Sequence, residues 1–415
     1  MLTVIYLIII IVLVIIAVNI IKWIISKRIN NIVKEGGNSS GIVKLGKNFK
    51  KIVNSELYEI LVTKLDNEFY ETLRKNAGVI SFPYKRLFLK SDDMGMFNRL
   101  VDYNKTKIVK YNYNEKFHNY FVSERSKRNK LDVKFDGKYL AVDVGDSYSV
   151  DVLTDLFQEE QRIKCNVIGK MSPLQYWNVN MVNLCKELNI SGRKINSENL
   201  RELLYEKCQE CTQFKATYAL FMYGKFKATR ILDFSAGWGD RLLAALASKY
   251  VVRYVGYDPN VELKKGHDEM INKYNVDVDK DIRVIYEPFE TAKIEGRFNL
   301  VFTSPPYFNL EIYKGDNQSI NSFKTYDQWL HKFLFVSLMK AWDVLDVNGY
   351  MIIHIANIKI YDGGKFMYAN IIEDMNNYLC EELKNGVFMG SLGIIGRTKG
   401  VDKVRPAWVW KKVNV

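Results

Sequence analysis

The sequence predicts an α/β protein whose C-terminal half is a doubly wound, mainly parallel sheet, preceded by a small α+β domain and one hydrophobic N-terminal helix. Three observations carry that expectation. An apolar strand at Ile231 and Leu232 runs into a glycine turn and then an Ala/Leu-rich helix. A second strand ends in an acid, Asp258, about 20 residues after the glycines. A later apolar strand, beginning at Phe298, ends in Ser304, Pro305, Pro306 and Tyr307. At 415 residues the chain exceeds one ordinary core, so two folded units plus an extension are expected. The expected boundaries are a transmembrane anchor at 1–26, a flexible linker at 27–45, an N-terminal α+β domain available for substrate recognition at 46–165, and the sheet domain at 166–415.

The first element is the anchor. Residues 1–21 carry no charged side chain, and the apolar run resumes at Trp23, Ile24 and Ile25. A helix needs roughly 20 apolar residues to cross the hydrocarbon core, and Trp23 and Lys22 suit an interface. A cleaved signal peptide would need a positive n-region, a shorter apolar run and a small-residue cleavage site, none of which is evident. Lys22, Lys27, Arg28 and Lys34 all follow the span, so the positive-inside rule predicts a single-pass membrane protein with its catalytic domain in the cytoplasm. The five cysteines, odd in number and irregular in spacing, argue against a disulfide framework. Cys208 and Cys211 form one CxxC, but zinc needs two further ligands and the four histidines are scattered. No metal is expected, and the pair reads as ordinary helix cysteines.

The linker is clearest at residues 35–41, rich in Gly, Asn and Ser, which leave the backbone free. Beyond it, residues 57–73 look helical and 139–144 strand-like. A formal charge of +13 and a pI near 9.2 point to anionic partners, nucleic acid or an acidic membrane surface. Between 103 and 130, Lys105, Lys107, Lys110, Lys116, Arg125, Lys127, Arg128 and Lys130 interleave with Tyr103, Tyr111, Tyr113, Phe117, Tyr120 and Phe121. Cations neutralise phosphates and aromatic faces stack bases. A solvated surface in a Lys- and Tyr-rich chain explains the same run.

The sheet domain carries the chemistry. Asp233, Ser235, Gly237 and Gly239 form the turn after the first strand, where glycine lets backbone approach a ligand. Asp258 stands where a ribose-binding carboxylate is required. Glu287 and Phe289 follow a third strand at 282–286. A dinucleotide fingerprint would need a third glycine, and that position is Leu242. The departure fits a ligand without a pyrophosphate; a dehydrogenase and a ligand-free scaffold remain alternatives. Phe214 to Tyr218 either touch this ligand or pack a helix on the sheet. The two prolines of the Ser304 to Tyr307 turn stiffen a backbone that can hold a hydroxyl and a carbonyl around one amino group, with Tyr307 offering a planar face.

Together these motifs resemble the amino-methyltransferases that methylate exocyclic nitrogens of bases and carry a D/N/S-P-P-Y/F/W motif. The resemblance runs over residues 214–410 and includes Asp233 to Gly239, Asp258, Ser304 to Tyr307, Asn317, Tyr326, Trp329 and the segment 345–349. It implies a Rossmann-like methyltransferase fold and S-adenosylmethionine as cofactor. It also implies a nucleic-acid substrate, DNA ahead of RNA, methylated at cytosine N4 or adenine N6, with serine at the first motif position closer to the cytosine branch. Asp233, Ser235, Gly237, Gly239, Asp258, Glu287 and Phe289 would then bind the cofactor, and Ser304, Pro305, Pro306 and Tyr307 would be catalytic. Little chain follows Tyr307 for a recognition domain, which leaves an RNA or protein-amide substrate, and an inactive membrane-tethered nucleic-acid binder, as alternatives.

Overall fold

The computed structural model describes residues 42–44, 50–52, 82–87, 92–113, 132–275, 280–398 and 401–414. The anchor at 1–26, the glycine-rich linker at 35–41 and the helix expected at 57–73 lie outside the described residues. Among the described residues no helix is long and apolar enough to cross a membrane. The chain divides into two compact units, Met1–Phe88 with Trp177–Leu204, and Leu89–Tyr176 with Tyr205–Val415. The expected boundary at residue 165 does not coincide with that division.

In the first unit, the Phe82 ring meets Trp177 edge-on at 6.1 Å, and the Arg201 guanidinium lies 6.0 Å above Phe82 while donating to the Pro83 carbonyl at 3.3 Å.

The second unit is built on a sheet of seven strands: β1 Arg230–Asp233, β2 Arg253–Tyr257, β3 Asp281–Ile285, β4 Phe298–Thr303, β5 Leu345–His354, β6 Gly386–Ser391 and β7 Ala407–Lys412. Their order is β6-β7-β5-β4-β1-β2-β3. Strands β1 to β5 pair in parallel, and β7 runs antiparallel between β5 and β6. Parallel strands buried on both faces read as continuous apolar runs, and here successive residues feed opposite faces. Ile231, Leu300, Phe302 and Ile352 join one core with helices α1 Ala216–Lys225, α2 Asp240–Ala247 and α3 Lys264–Tyr274. Leu232, Val301 and Ile353 join the other with α4 Phe335–Asp343 and α5 Ile371–Glu382. Helices on both faces make the sheet doubly wound and Rossmann-like. The chain leaves β1 outward through β2 and β3, then returns past it to β4, so direction reverses between β1 and β4. Ligands bind at such a switch point, outside the carboxyl ends of the strands.

A second sheet joins distant segments. Lys107–Lys110 pairs with Leu140–Asp143, which runs parallel to Gly393–Thr398, itself paired with Val401–Arg405. The strand expected at 139–144 is therefore present, but it completes a sheet with the β6–β7 connection. One pairing partner, Lys107–Lys110, is some thirty residues upstream, but the other, Gly393–Thr398, lies about 250 residues downstream, beyond what local pattern records. Tyr113 stacks on Tyr139 at 5.1 Å, and Tyr111 packs against the same core. These two tyrosines of the basic-aromatic run are packing residues; residues 114–130 lie outside the described residues.

Candidate active site

The carboxyl ends of β1, β2, β4 and β5 surround a cavity of about 430 Å³, within the range of cofactor sites. Ser235, Gly237, Asp258, Phe289 and all four residues of the Ser304 to Tyr307 turn line it.

Asp233 does not line the cavity. Fully buried at the end of β1, its carboxylate accepts from Arg241 Nε at 2.8 Å, Arg241 Nη2 at 3.2 Å and the Tyr254 hydroxyl at 2.7 Å. A buried carboxylate needs such partners, so Asp233 shapes the turn by locking Arg241, whose guanidinium also donates to the Ser235 carbonyl and sits 4.8 Å above the Phe214 ring. The glycines divide the remaining work. Gly237 adopts φ +58° and donates its N–H to Asp258 Oδ2 at 2.9 Å, with only the Ser235 carbonyl near a would-be Cβ. Gly239 caps α2 at φ +90°, where a Cβ would meet Met270 Cε at 2.6 Å. Close approach at Gly239 is therefore to α3.

Asp258 is the first residue past β2. Its Oδ1 accepts from the Asn260 N–H at 2.9 Å, so each oxygen takes one backbone bond and keeps capacity for ligand donors. Burial raises this carboxyl to about 6, against the lowering effect of those N–H groups. Phe289 is buried, stacked on Phe234 at 5.1 Å and edge-on to Tyr257 at 5.0 Å, forming an apolar wall. Glu287 is exposed and does not line the cavity; Glu290 does. The third strand ends at Ile285, one residue earlier than expected, and the following turn aims Glu287 outward.

At the far wall, Ser304 Oγ and the Tyr307 hydroxyl both donate to the His354 carbonyl, at 3.1 and 3.2 Å. Both also stand near His354 Nδ1, at 3.3 and 3.4 Å. Because the Ser304 proton goes to that carbonyl, the oxygen's lone pairs remain for an incoming amino group. His354 ends β5, ringed by Phe214 and Tyr218, with Nε2 buried and unpartnered. Burial first, then the cations of Arg405 and Arg241, lowers its pKa to about 3, so the ring is neutral. Burial pushes the Tyr307 hydroxyl up to about 12.

Among the cavity residues that escape sequence reasoning are His354, Arg241, Asp240 and Arg405. His354 could have been found from its place at the end of the next apolar strand. Arg241 and Asp240 sit in the helix following the glycines, which pattern reads as packing. Asp240 is buried, accepts from Thr154 Oγ1 at 2.5 Å and Gln213 Nε2 at 3.2 Å, and is raised by burial to about 7. Arg405 comes from the second sheet, for which no local signal exists. Phe214 and Tyr218 both line the cavity, and the buried Tyr218 on α1 also packs the helix on the sheet, donating to the Leu392 carbonyl at 2.7 Å. Cys208 and Cys211 follow the helix Ser197–Lys207 and are not helical. Among the described residues no group of His, Cys, Asp and Glu is placed to hold a metal.

No model of a known protein family and no curated protein matches this chain. Among solved structures, it is similar to TrmN from Thermus thermophilus, at 12% identity and a TM-score of 0.32, over 48% of this chain and 49% of that one. The match thus spans about half of TrmN. It is also similar to an S-adenosylmethionine-dependent methyltransferase from Clostridium acetobutylicum ATCC 824, at 10% identity and a TM-score of 0.32 over 48% and 91% of the two chains. The N-methyltransferase NodS from Bradyrhizobium japonicum WM9, in complex with S-adenosyl-L-homocysteine, is 10% identical with a TM-score of 0.32, over 48% and 86%.

Proposed function

We propose that this chain is an S-adenosylmethionine-dependent methyltransferase acting on the exocyclic amino group of a nucleobase, in DNA ahead of RNA, and held at a membrane by its N-terminal segment with the catalytic domain in the cytoplasm. One observation carries the reading. The carboxylate Asp258 and the Ser304 to Tyr307 turn, distant in sequence, line one cavity at the switch point of the sheet, with the glycine turn after β1 between them.

The residues fit the cofactor. Asp258 offers two buried carboxylate oxygens with unused lone pairs for ribose hydroxyls, Phe234 and Phe289 supply an apolar wall for a base, and Gly237 leaves open space beside its backbone. Bound there, S-adenosylmethionine supplies a methyl group on a positively charged sulfur. The amino nitrogen of a base is a poor nucleophile because its lone pair is delocalised into the ring. Ser304 Oγ and the backbone carbonyl beside Pro305 would accept hydrogen bonds from its N–H groups and so favour charge on nitrogen, an interaction that strengthens toward the transition state, and the proton that the methylated nitrogen must lose would pass to solvent. Neutral His354 fixes Ser304 and Tyr307 through its carbonyl without adding a cation of its own beside the sulfonium. Holding nitrogen and methyl in line contributes on the order of 7 to 11 kcal/mol in favourable cases. A base in a duplex has to be flipped to reach this depth.

Radiolabelled methyl transfer from S-adenosylmethionine to panels of DNA, RNA and protein, followed by nucleoside analysis, tests the reading. N4-methylcytosine or N6-methyladenine is the expected product; label confined to protein would overturn it.

A further inference from the structure

Directly after β5 the chain folds into a tight hairpin, Ile358–Asp362 paired with Lys365–Ala369. Gly363 and Gly364, at φ +55° and +81°, make its two-residue turn, the geometry that matches strand twist. One face is built into the molecule: Ile360 and Ala369 are buried in the core. The other face is different. Lys359 lies opposite Tyr368 and Tyr361 opposite Phe366, so these four side chains share it. Tyr361, Phe366 and Tyr368 are 43%, 53% and 45% exposed. The Tyr361 and Phe366 rings meet edge to face at 5.1 Å, and the Lys359 ammonium stands 5.1 Å above the Phe366 ring. Within the hairpin no carboxylate shares this face; Asp362 is on the other, accepting from the Tyr326 N–H at 3.2 Å.

The hairpin is held to the candidate catalytic turn. Asn309, two residues beyond Tyr307, donates from Nδ2 to the Tyr361 carbonyl at 2.5 Å and accepts from the Tyr361 N–H at 3.3 Å. Ile358 lines the same cavity as Tyr307.

We infer that the Lys359, Tyr361, Phe366 and Tyr368 face is a stacking platform for unpaired bases of a nucleic-acid strand next to the base held at Ser304. This rests on the amino-methyltransferase reading and names the form of its substrate. Rings as exposed as Tyr361 and Phe366 cost solubility without return, whereas bases stack on such rings irrespective of sequence and a cation among them meets the backbone phosphate. The hairpin's tie to the Tyr307 loop keeps the platform in register with the cavity. The Lys359 cation, the one charge that the hairpin itself places on this face, complements a polyanion and not a basic partner.

The experiment uses the full chain in detergent micelles and a fluorescein-labelled single-stranded oligonucleotide, beside the same oligonucleotide made abasic, read by anisotropy. Tyr361→Ala and Phe366→Ala should each weaken binding of the base-bearing strand about 5-fold to 100-fold, leave the abasic strand nearly unaffected and raise KM for methyl transfer while sparing kcat. Tyr361→Phe should bind as the unsubstituted chain does. Equal affinity for base-bearing and abasic strands, or unchanged binding in both alanine variants, overturns the platform and assigns the face to a protein partner. The two readings fail separately. Methylated nucleic acid with unchanged KM in the variants sinks the platform alone, and base-dependent binding without any methyl transfer sinks the activity alone.

Discussion

Burial raises the Asp258 carboxyl from 3.8 to about 6. Between those values the folded chain holds a proton that the unfolded chain releases, so the stability this group contributes is present below 3.8 and lost as pH rises through 6. Cofactor binding runs the other way, because ribose hydroxyls favour the ionised acceptor. Affinity for S-adenosylmethionine should therefore fall as pH drops below about 6, and Asp258→Asn should flatten that dependence while weakening binding throughout; calorimetric titration across this range checks both. Asp258→Ala should cost about 1.5 to 3 kcal/mol of cofactor affinity. Ser304 and Tyr307 act on the acceptor, so their loss should leave that affinity intact. Ser304→Ala is expected to reduce single-turnover methyl transfer about 10²-fold to 10³-fold. Tyr307→Phe gives up the hydroxyl's bond to the His354 carbonyl, about 1 kcal/mol, together with its longer approach to Nδ1, and keeps its face. Full activity in Ser304→Ala would remove the turn from the chemistry.

The two glycines of the β1–α2 turn make different demands. Gly239 caps α2 in the left-handed region, and a Cβ there would meet Met270 Cε and the His267 ring of α3, so Gly239→Ala adds backbone strain and forces those side chains to shift. It should lower unfolding free energy by about 1 to 3 kcal/mol. Gly237 is also left-handed but open, so Gly237→Ala should cost less stability and more cofactor affinity. Denaturant titration of the two variants orders them; equal losses would contradict the assignment of close packing to Gly239 alone. His267, buried on α3, donates from Nε2 to the Gly237 carbonyl at 2.9 Å and accepts at Nδ1 from the hydroxyl of Tyr286, the residue after the third strand, at 3.0 Å, which ties helix and turn to the end of that strand.

A formal charge of +13 spread over the chain suits a polyanionic substrate, and the same charge distribution around residues 22–34 orients the proposed anchor. Asn38, Asn104, Asn189 and Asn317 head glycosylation sequons. The proposed placement of the catalytic domain in the cytoplasm requires that none of them carry glycan when the full chain is expressed in a eukaryotic cell. A glycosidase-sensitive mobility shift would place the cavity on the side of the membrane away from its cofactor supply, with Asn317 on the cavity wall among the modified positions.

The local record in the chain determined the strands, the glycine turn, Asp258 and the Ser304 to Tyr307 turn, because each rests on neighbours within a few residues: apolar runs for strands covered on both faces, glycine for positive φ, proline for stiffness. Local pattern assigned Asp233 to the ligand because it precedes the turn, and Glu287 because it follows a strand. Only the packed molecule decided otherwise, by burying Asp233 against Arg241 and Tyr254 and turning Glu287 out to solvent. The same is true of His354 and Arg405, which reach the cavity from the end of β5 and from a sheet assembled out of segments near residues 110, 140 and 400. Strand pairing across such separations is set by which faces can be buried together, and that is a property of the whole core, with no trace in the few residues on either side.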